Sequence, residues 1–311
     1  MKDYFYLVLA GGVGAAKFID GLSNVISQEK FKVLINTGDD IDLFGLKICP
    51  DIDIITYSLA NVVDREKGWG YFNETFNCLS VLKKYYQFKW FNLGDKDLAT
   101  HIFRTDLLKQ GFTKAEVTSL ISKKLGIKAH LIPMCNEDVQ TIINIGSESI
   151  HFEEYYIKHN CEPEIKGIQF EGIHEANPVK NVLKYIREAK RIIISPSNPI
   201  VSIGTILQVK GIKETLRKVK SKVFGISPII KGTTIKGPAD KMMRYLGLEA
   251  SCVGVAKYYQ DFLGHFVIDN MDCHLKSKIE ELDIKTYCFD TIMENLDKKK
   301  KLAQFIIDIH N

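Results

Sequence analysis

The sequence predicts an α/β protein built on a doubly wound, mostly parallel sheet. First, a buried strand at residues 4–9 leads into the glycine loop 11–14, and a helix and a second strand follow. Second, very apolar strand segments alternate with helical segments in the second half of the chain. Third, hydrophobic residues make up 45% of the chain, which is ordinary for a globular protein and argues against disorder. Ligands of such sheets bind beyond the carboxyl ends of the strands.

The segment 56–126 has a mostly helical pattern, which indicates a helical insertion. One of its helices opens near Asp95, and the next begins at a capping box formed by Thr113 and Glu116. Further strands are predicted at 31–35, 127–132, 142–145, 150–156, 191–195, 223–226, 266–268 and 285–289, and further helices at 15–25, 179–189, 238–247 and the C-terminal end. We expect one large α/β domain over residues 1–311.

Charge and cysteine usage limit the range of functions. The formal charge of +4 comes from 42 basic and 38 acidic residues that are mixed along the chain, so a nucleic-acid partner has little electrostatic support. No apolar run approaches the roughly 20 residues that span a bilayer. Seven cysteines without a C-x-x-C pair indicate a reduced protein that has neither a disulfide framework nor a zinc site. We therefore expect a cytoplasmic protein without a membrane partner.

The glycine loop is the first candidate site. Gly12 and Gly14 precede Lys17 where a strand hands over to a helix, so the backbone can approach a phosphate and the lysine can neutralise it. Lys17 occupies the third glycine position of the dinucleotide fingerprint, and the G-x-x-x-x-G-K spacing of a P-loop is absent. On this evidence alone, a phosphate cradle and a simple tight turn remain alternatives.

Crowded acids form the second candidate site. Asp39 and Asp40 follow the second strand directly, and Asp51 and Asp53 come a short distance later. Magnesium prefers oxygen ligands and usually bridges one or two carboxylates to substrate phosphates. Capping and turn formation are the structural alternative for these aspartates.

A polar helix face is the third candidate site. Asp97, Thr100, His101 and Arg104 have the spacing i, i+3, i+4 and i+7, so they share one face of the predicted helix. An acid, an imidazole and a guanidinium in one line suit substrate contacts and proton transfer. A solvated helix face is the alternative.

Two segments of the second half complete the set of candidate sites. Ser197, Asn198 and Ser202 follow the most apolar strand, and Lys236 and Lys241 flank the start of a helix. By position, both segments can cradle an anion or a base. Ordinary loop structure explains either one equally well.

Seven sequence blocks together resemble the 2-phospho-L-lactate transferase family, which includes the CofD and FbiA enzymes of deazaflavin coenzyme biosynthesis. The resemblance covers nearly the whole chain, and seven blocks of this length make chance similarity very improbable. The blocks are residues 11–22, 36–40, 45–53, 68–76, 94–105, 197–204 and 235–251.

The resemblance implies a Rossmann-like core with a helical insertion, a homodimer and a requirement for magnesium. It implies an enzyme that moves a phospholactyl group, or a similar three-carbon phospho-acid, from a guanosine diphosphate-linked donor to the ribityl hydroxyl of a deazariboflavin, releasing GMP. It makes Asp40 and Asp53 the metal ligands, with Asp39 and Asp51 as neighbours. By the same resemblance, the phosphate or nucleotide contacts are Gly12, Gly14, Lys17, Ser197, Asn198, Lys236 and Lys241.

The chemistry of such a transfer depends on positioning and on neutralisation of charge at phosphorus. The acceptor hydroxyl would lose its proton to one of the aspartates or to His101, and the sequence does not choose between them. Trp69, Tyr71 and Phe72 are candidates for an aromatic slot that holds the flat deazaflavin ring, with core packing as the alternative.

One segment departs from the family pattern. Relatives usually carry a serine, two aspartates and an arginine after the proline and methionine that here are 133 and 134, whereas this chain has Cys135, Asn136, Glu137, Asp138 and Gln140. If this loop contacts the donor, the preferred acid could differ.

Two other functions are weighed against this one. A nucleotide-sugar-binding regulatory protein of the same superfamily would share the glycine loop, but it would lack the blocks at 68–76 and 94–105. A nicotinamide-dependent oxidoreductase is disfavoured because Lys17 replaces the glycine that permits close helix–strand packing.

Overall fold

The computed structural model describes residues 4–86 and 90–309. Its strands are β1 (Tyr6–Ala10), β2 (Phe31–Ile35), β3 (Ile41–Leu43), β4 (Leu46–Ile48), β5 (His130–Pro133), β6 (Gln140–Asn144), β7 (Ser149–His151), β8 (Gly167–Glu171), β9 (Arg191–Ile194), β10 (Val223–Ile226), β11 (Ile229–Ile230), β12 (Thr233–Thr234), β13 (His265–Asp269) and β14 (Lys285–Phe289). Its α-helices are α1 (Gly12–Ser23), α2 (Pro50–Leu59), α3 (Asn77–Tyr85), α4 (Asp95–Lys109), α5 (Lys114–Lys124), α6 (Val182–Glu188), α7 (Ile203–Gln208), α8 (Ile212–Arg217), α9 (Ala239–Tyr245), α10 (Cys252–Tyr259), α11 (Lys276–Glu280) and α12 (Leu296–Asp308).

Seven parallel strands form the central sheet in the order β5-β2-β1-β9-β10-β13-β14. This order is that of a doubly wound dinucleotide-binding sheet, with the reversal of direction between β1 and β9. The central strands are continuous apolar runs because both faces of the sheet are covered. The α/β fold class predicted from the sequence is confirmed.

Each face of the sheet has its own hydrophobic core. Successive side chains of a strand point to opposite faces, so Val8 packs on one side with Phe18 of α1, whereas Leu9 packs on the other side with Ile206 of α7. Helix α12 lies against α1 so closely that a side chain at Gly21 would collide with the backbone of Lys299. These contacts fix α1, and therefore the glycine loop at its start.

Helices α2 to α5 follow one another between β2 and β5, in the segment for which the helical insertion is predicted. The capping box is confirmed, because the Thr113 hydroxyl accepts a hydrogen bond from Glu116 N while the Glu116 carboxylate accepts one from Thr113 N. The antiparallel hairpin β3–β4 precedes these helices and was not anticipated.

The strand prediction for residues 150–156 is wrong beyond His151. Strand β7 ends there, and Glu154–Lys158 forms a π-helical turn. The aromatic residues of this segment pack at helical spacing, with the rings of Phe152 and Tyr156 stacked 5.8 Å apart. A short run of apolar residues fits both the period of a strand and the period of a helix. In this segment, tertiary packing stabilises the helical turn.

The expectation that no cysteines are paired is also corrected. Cys273 and Cys288 form a disulfide, although they are 15 residues apart in sequence. The parallel pairing of β13 with β14 brings the 3₁₀ turn after β13 beside Cys288, so the fold creates a proximity that cysteine spacing does not reveal. The free cysteines are Cys49, Cys78, Cys135, Cys161 and Cys252.

Across residues 4–86 and 90–309, no helix has the length and apolar character needed to cross a membrane.

Candidate functional site

A cavity of about 860 Å³ opens at the carboxyl ends of β1 and β9, where the sheet reverses direction. The loops after β1, β2, β9 and β10 form its walls together with α2 and α4. Most of the residues predicted to bind substrate line it, namely Gly12, Gly14, Lys17, Asp39, Asp51, Asp53, Asp97, His101, Ser197, Asn198, Ser202, Lys236 and Lys241. Two predicted residues, Asp40 and Arg104, lie behind this lining.

The glycine loop approaches the loop after β9 closely. A side chain at Gly14 would collide with the carbonyl of Pro196, so only glycine permits this contact. Gly12 has a φ of +74° and donates its N–H to Asp51 Oδ1 over 2.6 Å, while Gly11 N donates to Ser197 Oγ over 3.3 Å. The loop is thereby held against both the acid segment and the β9 loop.

Two lysines give one end of the cavity a positive charge. Lys17 lies in the first turns of α1, and burial followed by the charge of Lys299 lowers its pKa. Burial also lowers the pKa of Lys236, and the charge of Lys17 lowers it further. Neither ammonium has an ion-pair partner in the part of the chain that the structure describes, so this end of the cavity suits an anion.

The β9 loop and the start of α9 use some of their polar groups internally. Asn198 Oδ1 accepts hydrogen bonds from Ile200 N and Val201 N over 2.9 and 3.3 Å. The Lys241 ammonium donates to the carbonyl of Cys161 over 2.5 Å. Lys236 is therefore better placed than Lys241 to contact an anionic ligand.

Three carboxylates that line the cavity have no cationic partner among the described residues. Asn36 Nδ2 donates to Asp39 Oδ2 and Asp51 Oδ2 over 3.1 and 3.0 Å, while Asp39 Oδ1 is buried without a partner. Burial first, and then the charges of Asp51 and Glu153, raise the pKa of Asp39 well above its ordinary range. Burial also raises the pKa of Asp51 to about 6.

Glu153 is the third of these carboxylates and was missed by sequence reasoning. Its side chain lines the cavity, is buried, and forms no hydrogen bond or ion pair within the described residues. Burial and the charge of Asp51 raise its pKa to about 8. A single acid after a short strand carries no sequence signal that would separate it from a surface residue.

The other two acids of the predicted metal site are bound by protein cations. The Lys114 ammonium lies 2.6 Å from Asp40 Oδ2, and both side chains are buried. Arg104 binds both carboxylate oxygens of Asp53, with Nη1 3.1 Å from Oδ2 and Nη2 on Oδ1. Sequence reasoning missed Lys114, which the spacing of α5 does not distinguish from a solvent-exposed lysine.

These contacts allow a test of how well the site fits magnesium. The described residues contain no group of three or more His, Cys, Asp or Glu side chains arranged to hold a metal ion by themselves. Magnesium needs only one or two carboxylates when substrate phosphates supply the remaining ligands. Asp39 and Asp51 fit this role, because their carboxylates have no cationic partner, whereas Asp40 and Asp53 already neutralise Lys114 and Arg104.

The polar face of α4 meets α2 at the wall of the cavity. The Tyr57 hydroxyl donates to Asp97 Oδ1 over 2.6 Å, and Arg104 Nη1 lies 3.2 Å from His101 Nδ1. Burial, followed by the charge of Asp53, raises the pKa of Asp97 to about 7. Burial lowers the pKa of His101 to about 4. The predicted shared face therefore brings an acid and an imidazole to the cavity and places the guanidinium behind them.

The three aromatic residues predicted to hold the deazaflavin ring do not all line the cavity. Trp69 lines the cavity, whereas Tyr71 and Phe72 lie outside its lining. Tyr71 packs on the ring of Tyr57 with 4.3 Å between centroids, and Phe72 is 61% exposed. The aromatic wall is completed by residues that were not singled out, namely Tyr57, Phe91, Phe152 and Tyr156.

The divergent loop that follows Met134 does not line the cavity. Cys135 is buried and pairs with Pro178 in an isolated bridge, and Asn136 Oδ1 accepts a hydrogen bond from Ala115 N. Thr141 N donates to Gly38 O over 2.6 Å, so the loop supports the acid segment from behind.

The fold and this cavity define a Rossmann-like α/β protein whose candidate ligand site lies at the switch point of the sheet. Residues 7–304 match the profile of the family described as 2-phospho-L-lactate transferase CofD. The chain belongs to this family and is an enzyme of the transferase class.

Individual relatives match over nearly their full length. The 2-phospho-L-lactate transferase of Methanosarcina mazei is 36% identical over 301 residues, which are 97% of this chain and 99% of the relative. A phosphoenolpyruvate transferase of Kitasatospora aureofaciens is 36% identical over 305 residues, which are 96% of this chain and 95% of the relative. The crystal structure of protein BH3568 from Bacillus halodurans has a TM-score of 0.63 over 99% of this chain and 100% of that chain. At 16% identity, this likeness shows the fold alone.

Proposed function

We propose that the protein transfers a phospholactyl group, or a similar three-carbon phospho-acid, from a guanosine diphosphate-linked donor to the ribityl hydroxyl of a deazariboflavin. GMP is the second product. The observation that carries the proposal is that one cavity contains both a positively charged end, at Lys17 and Lys236, and an aromatic wall that includes Trp69 and Phe91. Family membership supplies the reaction class.

The donor fits the charged end of the cavity. Its diphosphate would lie between the glycine loop and Lys236, because positive charge and helix N–H groups favour phosphate there. Asp39 and Asp51 would hold magnesium at this end of the cavity, where the ion would supply positive charge to offset the negative charge of the phosphates. Ser197 and Asn198 lie at the same end and would contact the donor.

The acceptor fits the aromatic wall. A flat deazaflavin ring is largely apolar and would pack on Trp69, Phe91 and Tyr57, with its ribityl chain extending toward the phosphates. Asp97 and His101 lie on this side of the cavity. The donor acid remains open among lactate, enolpyruvate and glycerate types, since relatives carry both the phospholactate and the phosphoenolpyruvate names.

A direct assay tests the proposal. The protein is incubated with magnesium, deazariboflavin and each guanosine diphosphate-linked acid in turn, and mass spectrometry follows the phosphodiester product and GMP. A parallel reaction in chelator tests the metal requirement. Product with at least one donor supports the function, and absence of product with all three contradicts it. The homodimer implied by the family resemblance and the cytoplasmic location expected from cysteine usage are part of this proposal, and light scattering and cell fractionation check them.

A further inference from the structure

The proposed reaction needs a group that removes the proton from the acceptor hydroxyl, and this inference rests on the proposed function. Such a base must line the cavity and keep a free lone pair that points to the acceptor. Several acids and one histidine meet the first condition. Their hydrogen bonds decide which of them meets the second.

His101 is disfavoured as the base by the tautomer that its contact with Arg104 favours. Its Nδ1 lies 3.2 Å from Nη1 of Arg104, whose two hydrogens also face Asp53 Oδ2 and the carbonyl of Lys47. A guanidinium only donates hydrogen bonds, so this contact favours the tautomer in which Nδ1 accepts. The single proton of the neutral ring is therefore on Nε2, which leaves no lone pair for a substrate proton. In this tautomer His101 can donate a hydrogen bond in the cavity, but it has no lone pair there to take up the acceptor proton.

The remaining acids of α2 and the acid segment are also engaged or badly placed. Arg104 binds both oxygens of Asp53. Asp51 accepts from Gly12 N and from Asn36, and Asp39 shares the Asn36 amide, so both belong to the donor end of the cavity. Glu153 keeps a free carboxylate, but its charge interacts with that of Asp51, which assigns it to the same end.

Asp240 is the remaining acid of the lining, and both of its oxygens accept hydrogen bonds, from Thr234 and from Arg244.

Asp97 meets both conditions. The Tyr57 hydroxyl holds its Oδ1 at 2.6 Å, while Oδ2 has no hydrogen-bond or ion-pair partner in the described part of the chain. The carboxylate lines the cavity from the first turn of α4, next to the aromatic wall where the acceptor is proposed to bind. One fixed oxygen and one free oxygen are what a positioned base requires.

We propose that Asp97 is the general base of the transfer. Its free Oδ2 takes the proton of the ribityl hydroxyl as the hydroxyl oxygen attacks the phosphorus that carries the acid. The new bond joins that oxygen to phosphorus. The bond from phosphorus to the bridging oxygen breaks, and its electron pair leaves on the phosphate of GMP.

The groups around Asp97 bring its pKa close to neutral pH. Burial and the negative charges of Asp53 and Glu74 raise its pKa, while the Tyr57 hydrogen bond and the Arg104 charge lower it, giving about 7. His101 on the next turn of α4 is neutral, because burial lowers its pKa to about 4. A base must be deprotonated to act, so the rate should fall as the pH drops below about 7.

The test compares wild-type protein with Asp97→Asn, which keeps the shape of the side chain and the acceptor atom for Tyr57. We expect kcat to fall by roughly 10²–10⁴-fold, the usual contribution of a positioned base, with KM values changed only a few-fold. The acidic limb of kcat/KM should disappear from the remaining activity. Asp106→Asn on the exposed side of the same helix is the matched control and should retain wild-type rates.

A second variant keeps the base assignment testable if Asp97→Asn does not fold. Tyr57→Phe removes the hydrogen bond that lowers the pKa of Asp97, so the acidic limb should move to higher pH. A purely structural role of Asp97 would leave the limb where it is. If wild-type turnover is present but neither variant changes the pH profile, the base assignment is wrong and the function stands. If wild-type protein transfers no donor, both proposals fall.

Discussion

Lys114 and Asp40 form an ion pair in which the ammonium lies 2.6 Å from Oδ2 and both side chains are buried. The pair joins α5 to the segment that follows β2, directly behind the carboxylates of the cavity. For Lys114, the charge of Asp40 outweighs burial and leaves the pKa above its ordinary value. For Asp40, burial outweighs the charge of Lys114, so its pKa also remains raised. The pair therefore anchors the helical segment to the site.

Removal of one partner of this pair should destabilise the protein strongly. Lys114→Met should lower the free energy of unfolding by about 3–5 kcal/mol, because it leaves the Asp40 carboxylate buried without a counter-charge. The double variant Asp40→Asn/Lys114→Met should lose less than the sum of the two single variants. Urea unfolding followed by circular dichroism measures all three. Lys123→Met, on the exposed side of α5, is the control, and an equal loss there would contradict a specific role for the pair.

Lys17 should act on the donor alone. A lost charge-assisted contact costs roughly 1.5–3 kcal/mol, so Lys17→Ala should weaken binding of a guanosine diphosphate-linked donor by about ten- to a hundredfold. Deazariboflavin affinity should stay constant, because the acceptor is uncharged. Separate titrations of the two substrates check this, with Lys109→Ala on α4 as a control outside the cavity. A fall in acceptor affinity with unchanged donor affinity would show that the two substrates occupy the opposite ends.

Glu153 should make stability depend on pH. Its pKa rises from an ordinary 4.5 to about 8 in the folded state, so the folded protein holds this proton more tightly than the unfolded chain does. The resulting stabilisation is fully present below about pH 4.5 and is lost as the pH rises through about 8. In chelator, Glu153→Gln should therefore unfold at higher urea concentration than wild type at about pH 9, with a smaller advantage at lower pH. If the urea midpoints of Glu153→Gln and wild type differ by the same amount at every pH, the Glu153 carboxyl has the same pKa in the folded and unfolded states.

The disulfide between Cys273 and Cys288 should contribute to stability. Closing a loop of about 15 residues in the unfolded chain is worth roughly 3 kcal/mol in the chain-entropy description. A reducing agent should lower the urea midpoint of the wild type and leave Cys273→Ser/Cys288→Ser unaffected. Equal midpoints of the wild type with and without reductant would mean that the bridge adds nothing.

The sequence was sufficient for the features that depend on local pattern. Apolar runs and a glycine loop predicted the doubly wound, mostly parallel sheet, and Thr113 with Glu116 marked a helix start. A short run of mixed apolar and acidic residues was misread as a strand up to residue 156, because a few residues fit both periods.

Contacts between side chains that are far apart in the sequence could not be predicted from local pattern. Lys114 meets Asp40, and Glu153 approaches Asp51, only after the helices have packed on the sheet. Both interactions result from tertiary structure. The aspartates were visible as a cluster, but which of them keep a free carboxylate depends on two cations that come from α4 and α5.

The position of β1 in the middle of the sheet also bears on how the protein is made. Gly11 meets Ser197 across 186 residues, and Asp20 on α1 meets Lys299 across 279 residues. Ribosomes add about 5–20 residues per second, so the apolar β1 and α1 wait on the order of ten seconds to a minute for their partners. A nascent chain of this protein therefore exposes its glycine loop long before that loop can hold a ligand. During this interval the segment is a natural target for chaperones.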